Sequence, residues 1–208
     1  MTSKGLFFKY MRENTKQRLW SVALIALLCF FLFPVLTALE ISIMLRPDNL
    51  SKDLSVEAAL AEAKLKLTNE MLNMYSIKNA MLVCILIVAA VVLAASGFSY
   101  LHSKKKTDFF HSLPISREML YTVTCLDGIL YLAVPYLVFL LASGVMLQVK
   151  GAPFSWETLL IGYVQHMCFF ILVYMTVVLA VILTGNLIVG LLGTGVFFIW
   201  GPGVAAVV

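Results

Sequence analysis

Four long stretches of the chain contain no charged residue, and they determine its predicted architecture. These stretches are residues 19–39, 79–103, 128–149 and 158–208. A helix needs about 20 apolar residues to cross a bilayer, so each of the first three fits one crossing. The last stretch would be about 77 Å long as a single helix, and Thr184-Gly185-Asn186 inside it favours a turn. The pattern predicts an all-α, polytopic helical membrane protein with about five transmembrane helices.

The predicted spans belong to a single transmembrane domain, residues 1–208. We place them at residues 19–39, 79–101, 126–149, 158–183 and 187–200. Span one follows a polar tail and is too long for the apolar core of a cleavable signal, so we interpret it as a retained helix.

The loop between spans one and two, residues 40–78, has a helical pattern of its own. Apolar residues recur at helical spacing along it, and Glu62 precedes Lys66 by four residues, the order that stabilises a helix. Ser55 is suited to cap the start. We therefore predict one amphipathic extracytoplasmic helix over residues 54–74. It either packs against the ends of the spans or serves to sense a ligand or bind a partner.

Composition supports the membrane class. Hydrophobic residues make up 62% of the 208 residues, and charged residues only 12%. Soluble domains usually carry about 25% charged residues, so this chain lacks enough charge to cover a core in water. A water-soluble enzyme and a nucleic-acid-binding protein are thereby excluded.

The charged residues that remain predict an orientation. The tail before span one and residues 102–127 carry nine basic and four acidic residues, whereas residues 40–78 and 150–157 carry six basic and seven acidic. Basic residues accumulate in cytoplasmic loops. We therefore expect a multi-pass protein of the bacterial cell membrane, with the N-terminus and the 102–125 loop in the cytoplasm.

The chain carries few signs of catalytic chemistry. It contains no GxxxxGK[ST] phosphate loop, no HExxH and no GxSxG, so we predict that it is not an enzyme. We also expect no metal site, because the histidines and the four cysteines have no ligand-like spacing. Polar groups inside a bilayer are costly and often functional. Asp127, Gln165 and His166 therefore form a possible intramembrane polar site, although a helix-end role for Asp127 and interhelical hydrogen bonds for the other two are the structural alternatives.

The connector between spans two and three has the most informative sequence. Three lysines are followed by an aromatic and apolar patch, and then by Pro114, which disfavours helix just before it. Ser116 is suited to cap a new helix with Glu118 in its first turn. Such a patch either packs on the membrane and the chain's own spans, or docks onto a cytoplasmic partner.

This connector resembles a known family. The string Asp108-Phe-Phe-His-Ser-Leu-Pro-Ile-Ser-Arg-Glu118, preceded by Tyr100-Leu-His and a basic run, is similar to the first cytoplasmic loop of type-2 ATP-binding-cassette permeases of Gram-positive bacteria. The segment His111–Arg117 is its most specific part. The similarity in motif covers about 20 residues, and the similarity in layout covers most of the chain.

The resemblance implies a function and partners. In that family the corresponding loop is a coupling helix that docks onto a cytoplasmic ATPase, so the chain would be a permease subunit, or the N-terminal part of one, that couples ATP hydrolysis on a separate subunit to substrate export. ATP and magnesium would bind that partner, and this chain would hold no cofactor. A second permease copy or a paralogue would complete the transporter within the lipid bilayer. The implied docking residues are Lys104, Lys105, Lys106, Phe109, Phe110, His111, Leu113, Pro114 and Arg117.

One feature departs from the family pattern. Such permeases usually have six spans, whereas this sequence predicts five and ends in apolar residues. The alternative function is therefore a non-transporting membrane sensor or scaffold that uses the 54–74 helix.

Overall fold

A computed structural model describes residues 10–16, 18–46, 56–99, 116–184, 189–190 and 192–196. Five helices are complete within these ranges. They are α1 (Leu19–Met44), α2 (Val56–Met74), α3 (Ala80–Phe98), α4 (Arg117–Val149) and α5 (Trp156–Leu183). Residues 10–16 are also helical, and the described part of the chain contains no strand. The predicted all-helical class is confirmed for these residues.

Four of the helices are long and apolar enough to cross a membrane, namely α1, α3, α4 and α5. Their exposed side chains include large apolar residues such as Leu27, Val88, Val138 and Leu172. Lipid is the solvent that suits an apolar exterior on helices of this length. The chain is therefore a helical membrane protein. Of the predicted fifth span, residues 189–190 and 192–196 are described and helical, and the other positions lie outside the described residues.

Helix α1 continues through Pro34 by a local change of winding. Residues Phe31–Val35 form a π-helical turn that contains this proline. Proline has no backbone N–H to donate, and a single π turn inside an α-helix accommodates such a local irregularity. The helix continues past Glu40 to Met44, five residues beyond the predicted span.

Helix α2 lies within the segment between spans one and two where the sequence pattern predicts an amphipathic helix over residues 54–74. It buries Ala59, Leu67 and Met71 and packs against the Leu36–Met44 part of α1. Glu62 and Lys66 form the expected ion pair at 2.7 Å. The predicted cap, Ser55, lies outside the described residues.

Helix α4 begins at Arg117, nine residues before the predicted start of span three. The Oγ of Ser116 accepts a hydrogen bond from the backbone N–H of Met119 at 3.3 Å, and Glu118 lies in the first turn. The predicted cap is therefore confirmed. The helix extends farther than the uncharged stretch because charged side chains at its start are compatible with helical backbone.

The chain divides into two compact units. Unit 1 contains residues Met1–Val22, Leu86–Tyr131 and Phe169–Val208, and unit 2 contains Ala23–Ile85 and Leu132–Cys168. The buried side chains at the centre of unit 1 include Leu93, Phe98, Val123, Phe170 and Tyr174. Those of unit 2 include Ile25, Phe33, Leu67, Tyr136 and Leu140. The described residues of each unit include a polar site.

Candidate functional site

Unit 1 contains a buried cluster of polar side chains, which we call the Arg18 cluster: Asn14, Thr15, Arg18, Ser96, Asp127 and Tyr131. Arg18 comes directly before α1 and is only 8% exposed. Its Nη2 donates to the carbonyl oxygen of Leu93 at 3.0 Å and to Oγ of Ser96 at 2.7 Å. Burying a charge is costly unless it is paired and hydrogen-bonded. These bonds hold the guanidinium against the end of α3.

Asp127 is the acidic member of the cluster and is 0% exposed. It lies ten residues inside α4, and its Oδ2 accepts a hydrogen bond from Nδ2 of Asn14. The expected role at a helix end is therefore wrong, because the effect of the helix dipole is confined to the first turn. The favourable partners of Asp127 are the Asn14 amide and the nearby positive charge of Arg18.

Tyr131 joins the two charged residues to the N-terminal segment. Its hydroxyl donates to Oγ1 of Thr15 at 3.1 Å, and the guanidinium carbon of Arg18 lies 5.4 Å from the centre of its ring. That distance is within the range of a cation–π interaction. Nε and Nη1 of Arg18 and Oδ1 of Asp127 are buried and make no hydrogen bond to any described residue.

Two glycines allow the close packing around this cluster. A Cβ atom at Gly97 would lie 3.2 Å from Nη1 and Nη2 of Arg18. A Cβ atom at Gly128 would overlap the Tyr174 ring, at 2.6 Å from its Cζ. Larger residues would therefore displace Arg18 from α3 or Tyr174 from α4.

The Arg18 cluster joins the N-terminal segment to the two helices that flank the predicted coupling loop in the sequence. The N-terminal segment provides Asn14 and Arg18, the last turns of α3 provide Ser96, and α4 provides Asp127. Residues 100–115 connect α3 to the start of α4 and lie outside the described residues. A force on that loop would therefore reach both of its flanking helices near one buried cluster.

Unit 2 contains a cavity of about 240 Å³. Helices α4 and α5 and the end of α2 line it, and its polar lining comes from Tyr75, Ser76, Thr158, Tyr163, Gln165 and His166. Tyr136 and Leu140 contribute from α4. The cavity therefore combines aromatic rings with hydrogen-bonding groups, as small-molecule sites commonly do.

His166 is the most constrained polar group in this lining and is 1% exposed. Its Nδ1 is 3.1 Å from the hydroxyl oxygen of Tyr136, whereas its buried Nε2 makes no hydrogen bond of ordinary geometry within the described part of the chain. Tyr75, which follows α2, shares a hydrogen bond with Thr37. Burial raises the pKa of the Tyr75 hydroxyl, so this hydroxyl is neutral at physiological pH.

The structure separates the residues that the sequence suggested as one intramembrane site. Gln165 and His166 line the cavity of unit 2, whereas Asp127 belongs to the Arg18 cluster of unit 1. Of the implied docking residues, Arg117 is described and exposed. The others, Lys104, Lys105, Lys106, Phe109, Phe110, His111, Leu113 and Pro114, lie outside the described residues.

Sequence reasoning missed several members of both sites. In the sequence pattern Arg18 is one of the basic residues of the N-terminal tail. An arginine that directly precedes a span, with an aspartate on the same predicted side of the membrane, is nevertheless a usable signal of a buried polar contact. Tyr75 and Tyr136 have no comparable signal, because aromatic residues are common in apolar helices. Among the described residues, no group of three or more His, Cys, Asp and Glu side chains could hold a metal ion.

Comparisons with known proteins identify no relative of this chain. No family model, no curated protein and no solved structure matches the chain.

Proposed function

We propose that this chain is the membrane-spanning permease subunit of an ATP-binding-cassette transporter. It couples ATP hydrolysis by a separate cytoplasmic ATPase to substrate export. Two features support the proposal: four helices suited to span a membrane, and the string Asp108–Glu118 that resembles a coupling loop. The Arg18 cluster adds a physical route from that loop to the spans.

The observation that carries this proposal is the position of the Arg18 cluster relative to the loop. Ser96 lies four residues before residue 100, and Asp127 lies twelve residues after residue 115. Both belong to the same network of buried polar groups, through Arg18 and Asn14. Because one network holds both helices that flank the loop, movement of the loop displaces α3 and α4 together rather than bending one of them.

The proposed topology completes the arrangement. Residues 187–200 form a fifth span, the N-terminus is cytoplasmic, and α2 lies outside the bacterial cell membrane. This topology puts the basic residues Lys104–Lys106 at the cytoplasmic surface, where lysines are attracted to anionic lipid and to acidic partners. ATP and magnesium bind the ATPase partner, and a second permease copy or a paralogue completes the translocation path.

One observation favours the alternative, a non-transporting sensor or scaffold built on the outside helix. The end of α2 contributes Leu72 to the cavity, and Tyr75 and Ser76 follow directly. A ligand there would touch the element that the sensor hypothesis invokes. The two functions differ in whether an ATPase binds the chain.

Affinity purification from the native membrane distinguishes them. The test variant combines Lys104→Glu, Lys105→Glu, Lys106→Glu, Phe109→Asp and Phe110→Asp. We expect a P-loop ATPase to copurify with the unmodified chain and its yield to fall at least about tenfold in the variant, because a loss of only 1.4 kcal/mol of binding free energy lowers affinity tenfold.

The matched control variant reverses the charge of two lysines that are predicted to lie on the extracytoplasmic side of the membrane. Lys78 and Lys150 are exposed, and Lys78→Glu with Lys150→Glu should leave the ATPase yield unchanged. Equal recovery of the ATPase with the loop variant and the unmodified chain would refute the docking proposal.

A further inference from the structure

The cavity of unit 2 has features of a ligand site that the proposed transport function does not explain. We propose that it binds a small, neutral, hydroxyl-bearing molecule with an aromatic ring. The volume, the charge and the position of His166 each restrict the ligand.

The volume restricts its size. The cavity measures about 240 Å³, whereas sites for drug-sized ligands usually measure roughly 300–1,000 Å³. A molecule with a single ring fits this space. A lipid with two acyl chains does not.

The lining restricts its charge. None of the described residues that line the cavity is Asp, Glu, Lys or Arg. A buried ion without a partner of opposite charge loses its hydration and gains no ion pair. The cavity therefore favours a neutral ligand over a carboxylate, a phosphate or an ammonium group.

His166 identifies the polar group of the ligand. Most other hydroxyls of the lining already have partners: Tyr75 bonds with Thr37, Thr158 with Ser155, and Tyr163 donates to the carbonyl oxygen of Ala133. Nε2 of His166 is buried and makes no hydrogen bond of ordinary geometry to a described residue, although the backbone of Gly162 and Ser76 lies within interaction range of the ring. Nε2 is a donor or an acceptor according to whether Nε2 or Nδ1 carries the proton of the imidazole. A hydroxyl both donates and accepts, so it pairs with either tautomer.

The neighbouring rings favour an aromatic body for the ligand. The ring of Tyr136 lies 5.7 Å from that of Tyr163 and 5.9 Å from the imidazole of His166, centre to centre. These separations are typical of interacting aromatic pairs. A ring that enters the cavity would therefore meet aromatic partners beside the hydroxyl-binding nitrogen.

Fluorine NMR with the full chain in lipid nanodiscs tests the proposal. The probe is 4-fluorophenol, with 4-fluorotoluene as the analogue that lacks the hydroxyl and 4-fluorobenzoate as the charged analogue. Empty nanodiscs measure partition into lipid. We expect saturable binding of the phenol, about fivefold tighter than the toluene because one net hydrogen bond distinguishes them, and no binding of the benzoate.

Two variants assign the binding to this cavity. His166→Phe should abolish the preference for the phenol over the toluene. Gly162 also lines the cavity, and a Cβ atom there would meet only the carbonyl oxygen of Tyr75, at 3.5 Å. The side chain introduced by Gly162→Leu should therefore fill the space and lower the affinity for both 4-fluorophenol and 4-fluorotoluene about tenfold, in line with the cost of overfilling a packed site.

Gly193→Leu is the matched control, because a Cβ atom at Gly193 meets no described atom within 4 Å. It should bind the phenol as the unmodified chain does. The proposal is overturned if 4-fluorophenol behaves as it does in empty nanodiscs, or if its binding is insensitive to Gly162→Leu. If His166→Phe does not fold, Gly162→Leu still decides the outcome. The measurement needs no ATPase, so its result is independent of the transport proposal.

Discussion

At the residue scale, the Arg18 cluster buries two ionisable side chains, which is costly. Arg18 and Asp127 are both buried. Arg18 is held by hydrogen bonds to Leu93 and Ser96, Asp127 by a hydrogen bond from Asn14, and the two charges are close enough to act on each other without a direct ion pair. Removing a buried hydrogen-bonding group leaves its partners unsatisfied, which usually costs about 1–3 kcal/mol. The cluster therefore makes a quantitative prediction about single and double substitutions.

We expect Arg18→Met or Asp127→Asn alone to lower the free energy of unfolding by about 2 kcal/mol. Arg18→Met leaves buried hydrogen-bond acceptors without their donor, and Asp127→Asn removes the negative charge near the guanidinium. The double variant should lose less than the sum of the two losses, with a coupling of about 1 kcal/mol or more. Unfolding titrations in mixed micelles measure these differences. Additive losses would show that the two side chains do not interact.

Interactions between residues close in sequence were predictable, whereas contacts between residues far apart in sequence were not. The Ser116 cap and the Glu62–Lys66 pair follow from spacings of three and four residues on one helix. Asn14 and Asp127 are 113 positions apart, so nothing in their spacing indicates contact. To predict the contacts of Arg18, one must know which helices are neighbours, and apolar periodicity does not provide that information.

At the element scale, uncharged stretches identify the helices but not their ends. Four of the five predicted spans correspond to helices that, among the described residues, are long and apolar enough to cross a membrane. However, α1 continues past Glu40 and α4 begins before Glu118. Charged residues tolerate helical backbone when they reach water or a polar partner at the membrane surface. The stretch without charge thus marks the apolar layer, and the helix extends beyond it.

The arrangement of elements also predicts an orientation that labelling can test. The four native cysteines, Cys29, Cys84, Cys125 and Cys168, would first be replaced by serine or alanine. A cysteine at Lys78 should then react with a membrane-impermeant maleimide in intact cells, whereas a cysteine at Lys105 should react only after the membrane is opened. The excess of basic residues on the 102–127 side is the physical reason. Labelling of position 105 in intact cells would contradict the predicted orientation and indicate the opposite one.

At the scale of the whole molecule, the two polar sites suggest a division of roles. The Arg18 cluster of unit 1 joins the segments around the loop that resembles an ATPase-docking element. The lining of the cavity of unit 2 includes the buried imidazole of His166, whose Nε2 makes no hydrogen bond of ordinary geometry to a described residue. The first site suits transmission of force, and the second suits binding of a small molecule.

Contact between the loop and an ATPase is the central claim, and photo-crosslinking tests it most directly. Benzoylphenylalanine would be placed at Phe109, or at Leu65 of α2 as the control, since Leu65 is exposed. On illumination of native membranes, we predict an adduct of position 109 with a P-loop ATPase and none from position 65. No adduct from position 109, or an ATPase adduct from position 65, would contradict the proposed function.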